Sequence, residues 1–468
     1  MTFNGVRKCY VKVLRGRERP PWAPVERELT EVLGHPGAYL SNTKVKPRII
    51  TVPILIQGND FSDLQKLKED IADWLVTVKP QELIFDDEPD RIYYAVVEGS
   101  LNLNEIVRVG YGAITFICPN PYKYGLEKTK PINGQPIQIN GTAPTDPIFS
   151  ITLKAPTTYL AVSDGEKINM IGNPMSVDDT PKERFTRRLW SQADSTVGWT
   201  VPGAVEGGAV SGEMDTDGYR FYAKNYGSGP GWHGPARVTS LPEILTDFQV
   251  DALVELHNKS SSWGKIIVSG LDQAGNVVFS MSMGDAYSTP RALGQVRAGP
   301  QGLPHNIISH VGEPPAWNNF EGLLRVGRNK NTWFAYISRF DMRTGKYDTG
   351  MYNKWPDRGN IYTAKLAQIQ VQIVSYGGRT PALAYLQDVK VFRINDLTPD
   401  EIPYIGVKDD VFEFDHKNDV IYRNGEIITK EKAFIGDYFS LDPGVNYVVA
   451  EPIEAIESAE VRWPDRWR

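Results

Sequence analysis

A mainly β fold is predicted by three features of this 468-residue chain. Its 42 glycines and 33 prolines cut it into short segments rather than long helices. Apolar residues alternate, or cluster in short runs bounded by Gly, Pro, Asn or Asp, as strands require. Only one stretch has clear helical periodicity. A chain of this length exceeds one ordinary core, and the usual size of a domain suggests roughly three units.

The first unit is expected over residues 1–127. Ser62 and Gln65 read as a capping-box pair, and Leu64, Leu67, Ile71 and Leu75 follow on one helical face with Trp74 beside them. Such a helix must dock on a sheet, and residues 48–56, 82–85, 92–98 and 112–118 are the candidate strands. Residues 119–130 (PNPYKYGLEKTK) break the pattern and read as a linker.

Residues 128–173 hold strands near 148–153, 159–162 and 167–171, with an Asp164-Gly165 turn. So few strands cannot close a core against water. Partners of the right kind occur at 403–468, where 411–414, 420–423, 446–449 and 460–463 are strand-like and joined by turns at 417–419, Asn424-Gly425 and Pro443-Gly444. One discontinuous sandwich is inferred from the two pieces. Residues 174–402 then form an insert, in which seven of the eleven tryptophans fall. Its strand-like runs at 219–223, 249–257, 264–270, 277–283, 322–326, 331–339, 367–374 and 384–394 describe a two-sheet sandwich of jelly-roll type.

The formal net charge of -6 opposes a main task of neutralising a phosphate backbone, so nucleic acid is not an expected partner. Basic residues concentrate only at 7–19, read as a solvated or subunit-facing arm. Cys9 and Cys118 cannot build a disulfide framework. Each sits in an apolar run and reads as a small buried hydrophobe, which fits assembly in a reducing cytoplasm. The first residues, MTFNGVRKCY, lack the pattern of a signal peptide, and no run approaches the ~20 apolar residues of a membrane span. Membrane insertion is not expected.

The N-terminal run FNGVRKCYVKVLRGRERPPWAPVERELTEVLGHPGAYLSNTKVKPRIITVPILIQG, continued by FSDLQKLKEDIADWL, LIFDDEPDRIYYAVVEGSL and GYGAITFICPNPYKYG, resembles the start of distal tail proteins from siphophages of Gram-positive bacteria. Further matching features are a Gly141–Pro144 entry, the hairpin VFEFDHKNDVIYRNGE, a Leu441–Asn446 turn and a terminal AEVRWPDRWR. The resemblance covers residues 1–172 and about 406–468. It implies a ring-forming N-terminal domain and a galectin-like sandwich. The protein would be a homohexameric hub at the distal end of the virion tail, placed between the tail tube protein and the adhesion apparatus with its tail-associated lysin or fibre hub. Longer, "evolved" members are similar in carrying a carbohydrate-binding module at the place of the insert, which implies host cell-wall polysaccharide as a further partner.

Sugar faces stack on exposed aromatic rings while their hydroxyls need amide, carboxylate or guanidinium partners. The insert offers such mixtures at Trp232-His233, at Trp317-Asn318, and at Tyr352, Trp355 and Arg358. Trp199 and Trp333 read as core; Trp232, Trp317 and Trp355, taken as loop-borne, read equally as core or as sugar platforms. Glu213, Asp215 and Asp217 would share one face of a strand, the basis of a competing reading as a tail-borne glycan hydrolase. The same carboxylates fit a solvated hairpin or a structural Ca²⁺ site. The histidines show no zinc-ligand spacing, no nucleotide-binding glycine loop or nucleophile elbow is present, and Asp86-Asp87-Glu88 reads as an exposed acidic turn. No enzyme activity and no cofactor are expected.

Overall fold

The computed structural model describes residues 1–259, 262–311, 317–434 and 436–468. Over them the chain is nearly all β, with one α-helix. It divides into two compact units, the first made of residues 1–172, 406–422 and 428–468, the second of 173–405 and 423–427.

In the first unit, strand Arg48–Gln57 pairs antiparallel with Val109–Cys118, from Arg48 opposite Cys118 to Gln57 opposite Val109. Ile50, Val52, Ile54 and Ile56 are buried, the period-2 burial of a strand with one face in a core. Helix Phe61–Leu75 adds Leu64, Ile71, Trp74 and Leu75 to that core, and Trp74 Nε1 donates to the Phe3 carbonyl at 3.0 Å. The cap differs from the sequence reading. Asp60, not Ser62, is the N-cap; its carboxylate accepts from the Asp63 amide at 2.8 Å while the Asp63 carboxylate accepts from the Asn59 amide at 2.7 Å. Two acids thus satisfy the orphan donors reciprocally, and Gln65 instead donates to Glu105 at 2.9 Å. Asp60→Ala is expected to cost about 1 kcal/mol, measurable as a lower denaturant midpoint at unchanged slope.

The basic run does not stand free in solvent. The Met1 ammonium and Arg7 reach Asp86, Arg17 and Arg19 reach Asp87, and Lys8 reaches Asp70, so most of its charge is folded back onto acidic groups. Such partly exposed pairs contribute at most about 1 kcal/mol each. Cys9 is exposed, correcting its expected burial. Cys118 is buried, which pushes its thiol up to about 12. Strands Val25–Glu31 and Ala38–Val45 form a separate two-stranded sheet whose every residue is exposed, Leu29, Tyr39 and Leu40 among them.

The expected linker is a strand. Lys123–Pro131 pairs with Ile456–Trp467, a partner too far along the chain to leave a local signal. Gly125 belongs to this pairing: a Cβ there would meet the Trp467 ring at 3.1 Å, and the register shifts beside it. Ile148–Leu153 lies between Val411–Asp415 and Ile456–Trp467, with Ile148 opposite Asp415 on one side and Arg462 on the other. Tyr159–Ser163 lies between Ile168–Gly172 and Val449–Glu451. The single strand expected at 446–449 is two, Gly444–Asn446 and Val449–Glu451, paired with different neighbours.

The second unit is a sandwich. One sheet runs Glu213–Thr216, Phe221–Asn225, Leu383–Ile394, Phe248–His257, Phe320–Asn329, Thr332–Asp341, Lys346–Pro356, and the other includes Trp232–Gly234, Leu366–Tyr376, Ser262–Leu271, Val277–Asp285, Leu293–Ala298, His305–His310. Alternate residues point inward, for example Phe248, Val250, Ala252, Val254 and Leu256, to meet Ile266, Val268, Met281 and Met283 in one core. The unit's two ends meet: Thr180–Lys182 runs parallel to Glu401–Pro403, and Lys182 Nζ lies 2.8 Å from the Glu401 carboxylate.

Candidate binding surface of the second unit

The tryptophans that read equally as core or as sugar platforms are mostly packed against other side chains. Trp317 is only 2% exposed and packs edge-on against Phe320 at 5.7 Å, so it is core. Asn318 is equally spent: its Oδ1 accepts from Asn258 and from the Ala292 amide at 2.9 Å each, and its Nδ2 donates to the Pro290 carbonyl at 2.8 Å. The side-chain amide ties Asn258 and the 290–292 segment to its own, a role that looks in the sequence like an exposed amide beside an indole. His233 is buried as well, with Nδ1 2.8 Å from the Gly231 carbonyl oxygen.

Trp232 lies on the short strand Trp232–Gly234 rather than in a loop. It is half-buried, stacked with Trp263 at 6.4 Å and edge-on to Tyr376 at 5.3 Å, with the Lys265 ammonium 4.0 Å from its ring centroid. Trp355 also belongs to a strand, Lys346–Pro356. His305 stacks on it at 3.6 Å, occupying one ring face, and Tyr362 meets it edge-on. Trp199 and Trp333 are buried, in line with their reading as core.

Tyr352 has a different setting. Three residues before Trp355 on the same strand, it faces the opposite side of the sheet and is 55% exposed. The two rings therefore form no common platform, and Arg358 is exposed beyond the strand end without lining the Tyr352 cavity. That cavity has a volume of about 480 Å³. Register builds one wall: Phe334 lies opposite Lys354, and Tyr336 opposite Tyr352, so Phe334, Tyr352 and Lys354 share a face. The hairpin tip at 329–332, with Lys330 at φ 57°, brings in the Asn329 and Asn331 amides. Arg184 and Asp396 complete it from the paired ends of the unit; Arg184 Nη1 donates to the Asn395 carbonyl at 2.7 Å, and Lys330 Nζ lies 3.7 Å from Asp396. Of these, only Tyr352 was foreseen. Alternation along KYDTGMYNKWP places Tyr352 and Lys354 on one face, whereas nothing local links Arg184 to the hairpin tip.

A second cavity, of about 380 Å³, is lined by Asp217, Tyr219, Arg220, Glu255 and Gln387. Here two carboxylates face one guanidinium. Arg220 bonds Asp217 at 3.0 Å and Glu255 at 2.8 Å, and Gln387 donates to Glu255 at 2.7 Å. Glu213 and Asp215 do share a face, both reaching Lys224, while Asp217 lies past the strand end and caps the turn by accepting from the Tyr219 and Arg220 amides. Hydrogen bonds from the Thr216 amide and Lys224 hold the Asp215 carboxyl below the usual carboxylate range. Asp217 and Glu255 are held low too: burial opposes ionisation, but hydrogen bonds from Arg220 to Asp217, and from Gln387, His257 and Arg220 to Glu255, outweigh it. A glycosidase acid needs its proton kept to higher pH, the opposite direction.

The first unit is discontinuous in sequence, interrupted by a β-sandwich that forms a second unit with an aromatic, cation-lined hollow. Within the first unit, residues 7–118 match the family of the phage tail protein RIFT-related domain. No curated protein matches the chain. Among solved structures, the CBM2 module of the evolved Dit of Lactobacillus casei BL23 phage J-1 is similar at 13% identity, covering 46% of this chain and 99% of that one, with a TM-score of 0.41. The SPP1 Dit protein is similar at 21% identity over 36% of this chain and 73% of that one, with a TM-score of 0.33. The laminarinase catalytic domain of Thermotoga petrophila RKU-1 is similar at 10% identity over 46% of this chain and all of that one, with a TM-score of 0.32.

Proposed function

We propose that this chain is a structural hub of the phage tail tip, closing as a hexameric ring between the tail tube and the host-adhesion apparatus, and that its second unit binds host cell-wall carbohydrate. The match of residues 7–118 to the phage tail family carries the reading. The exposed hairpin formed by Val25–Glu31 and Ala38–Val45, with Leu29, Tyr39 and Leu40 uncovered among polar residues, supports self-assembly, because an uncovered two-stranded sheet is marginal alone and gains by packing on a neighbour. Closed symmetry would satisfy each copy in the same way. The Tyr352 cavity supports the second part: it combines an exposed ring with amides and cations at a size fit for sugar residues. Six weak sites on one ring would act together on a repetitive wall surface, so each need only bind modestly.

Light scattering on the eluting full-length protein should give a sixfold mass; a persistent monomer at assembly-like concentration would remove the hub reading. On a glycan array, Tyr352→Ala should weaken retained signals roughly threefold to tenfold, the value of one lost ring contact.

A further inference from the structure

The Tyr352 cavity carries an excess of positive charge, whereas the second cavity has more carboxylates than cations. Three cationic side chains line it, Arg184, Lys330 and Lys354, against the single carboxylate of Asp396. That carboxylate is itself weakly engaged, 3.7 Å from Lys330 with both side chains about three-quarters exposed. Among the described residues, Lys354 has no ion-pair partner. Arg184 is held by its bond to the Asn395 carbonyl, which fixes the guanidinium without neutralising it. In the second cavity, by contrast, Asp217 and Glu255 already satisfy Arg220. The excess positive charge is local, on a chain with a net charge of -6.

We propose that this cavity takes a saccharide bearing an anionic substituent, a phosphodiester or a uronate carboxylate, in preference to a neutral sugar. The inference rests on the carbohydrate-binding reading of the second unit and narrows its ligand. Tyr352 offers a ring face to the sugar, Asn329 and Asn331 offer amides to its hydroxyls, and Arg184, Lys330 and Lys354 meet the charged group. A polynucleotide would also present phosphates, but a short hollow beside one exposed ring offers no groove for a continuous backbone and no series of bases to stack.

The test is fluorescence anisotropy of the full-length protein with labelled oligomers of matched length: poly(glycerol phosphate), oligogalacturonate, a neutral galactan and single-stranded DNA. At least one anionic glycan should bind about tenfold or more tighter than the neutral one, and which of the two does so identifies the charged group. Raising salt should erode that preference. The pair Lys330→Gln and Lys354→Gln, both exposed changes, should abolish it while leaving the melting curve intact, and Lys354→Arg should keep it. Equal binding of neutral and anionic glycans, a preference that survives the double variant, or DNA binding as tight as the anionic glycans would overturn the proposal. Neutral binding that depends on Tyr352, without any anion preference, overturns this proposal alone; failure to bind every saccharide overturns the carbohydrate-binding reading with it.

Discussion

Arg328→Met is expected to lower the stability of the second unit by about 3 to 5 kcal/mol, despite removing a charge from an apolar core. Arg328 is 2% exposed and holds three carbonyls: Nε and Nη2 donate to Thr246 at 2.9 and 2.6 Å, and Nη1 donates to Tyr362 and Ala364 at 2.8 Å each. Phe248 and Trp333 flank the guanidinium, their ring centroids each 5.4 Å away. Burial lowers its pKa from the ordinary value, a measure of what desolvation costs. Methionine recovers that cost but removes four hydrogen bonds from a charged donor, each worth about 1.5 to 3 kcal/mol. The loss should appear as a fall on the order of 10 °C in the calorimetric transition of this unit. Arg358→Met, on an exposed side chain, should stay within about 0.5 kcal/mol. Equal melting of the two variants would show that the buried fork contributes nothing.

Acidification should weaken the first unit through His416. The ring is buried against Phe149, Tyr438 and Phe439, with Nε2 3.1 Å from Asn169 Nδ2 and Nδ1 2.9 Å from the Phe439 carbonyl oxygen. Burial depresses its pKa from 6.5 to about 4, against the opposing pull of the Phe439 carbonyl and of Asp415, Asp146 and Asp164. The unfolded chain therefore takes up a proton that the folded chain refuses. Stability from this group is whole above about 6.5, falls as pH drops toward 4, and levels off below; the total is about 3 kcal/mol. Other carboxylates titrate in the same range, so the informative quantity is a difference. Between pH 7.5 and 4, the denaturant midpoint of the native protein should fall further than that of His416→Gln. Parallel curves would mean that the imidazole is not held neutral.

Both residues show why the sequence revealed some features and hid others. Alternation is legible where every inward residue is apolar, as at Ile50, Val52, Ile54 and Ile56, and there the expected and observed strands nearly coincide. It fails where a polar residue faces inward. The reading of strand Phe320–Asn329 stops at Val326 because Arg328 breaks the pattern, although it continues the buried face. Strand Ala236–Leu245 goes unseen for another reason: Pro242 reads as a breaker, but it lies where the register with Leu366–Tyr376 shifts and no ladder bond is required of it. Lys123–Pro131 is hidden because its pairing partner is Ile456–Trp467.

The candidate site follows the same division. Tyr352 and Lys354 could be placed on one face by counting along a strand. The cavity's other cations come from a hairpin tip and from a chain end, which only the folded sandwich brings together. Trp317 and Asn318 misled because an indole beside amides has one appearance in sequence and two fates in a fold, decided by whether the amide's bonds are spent on backbone.

The parallel stem formed by Thr180–Lys182 and Glu401–Pro403, clasped by Lys182 and Glu401, has a consequence for how such a chain tolerates its cargo. A disordered excursion of this length would charge its closure entropy to the flanking sheet, and the charge would rise with every added residue. Here the guest's own interior sets the spacing of its two termini. The flanking strands thus meet a fixed gap whatever the second unit's size, so that unit can lengthen or shorten in its outer loops without altering the gap the first unit must span.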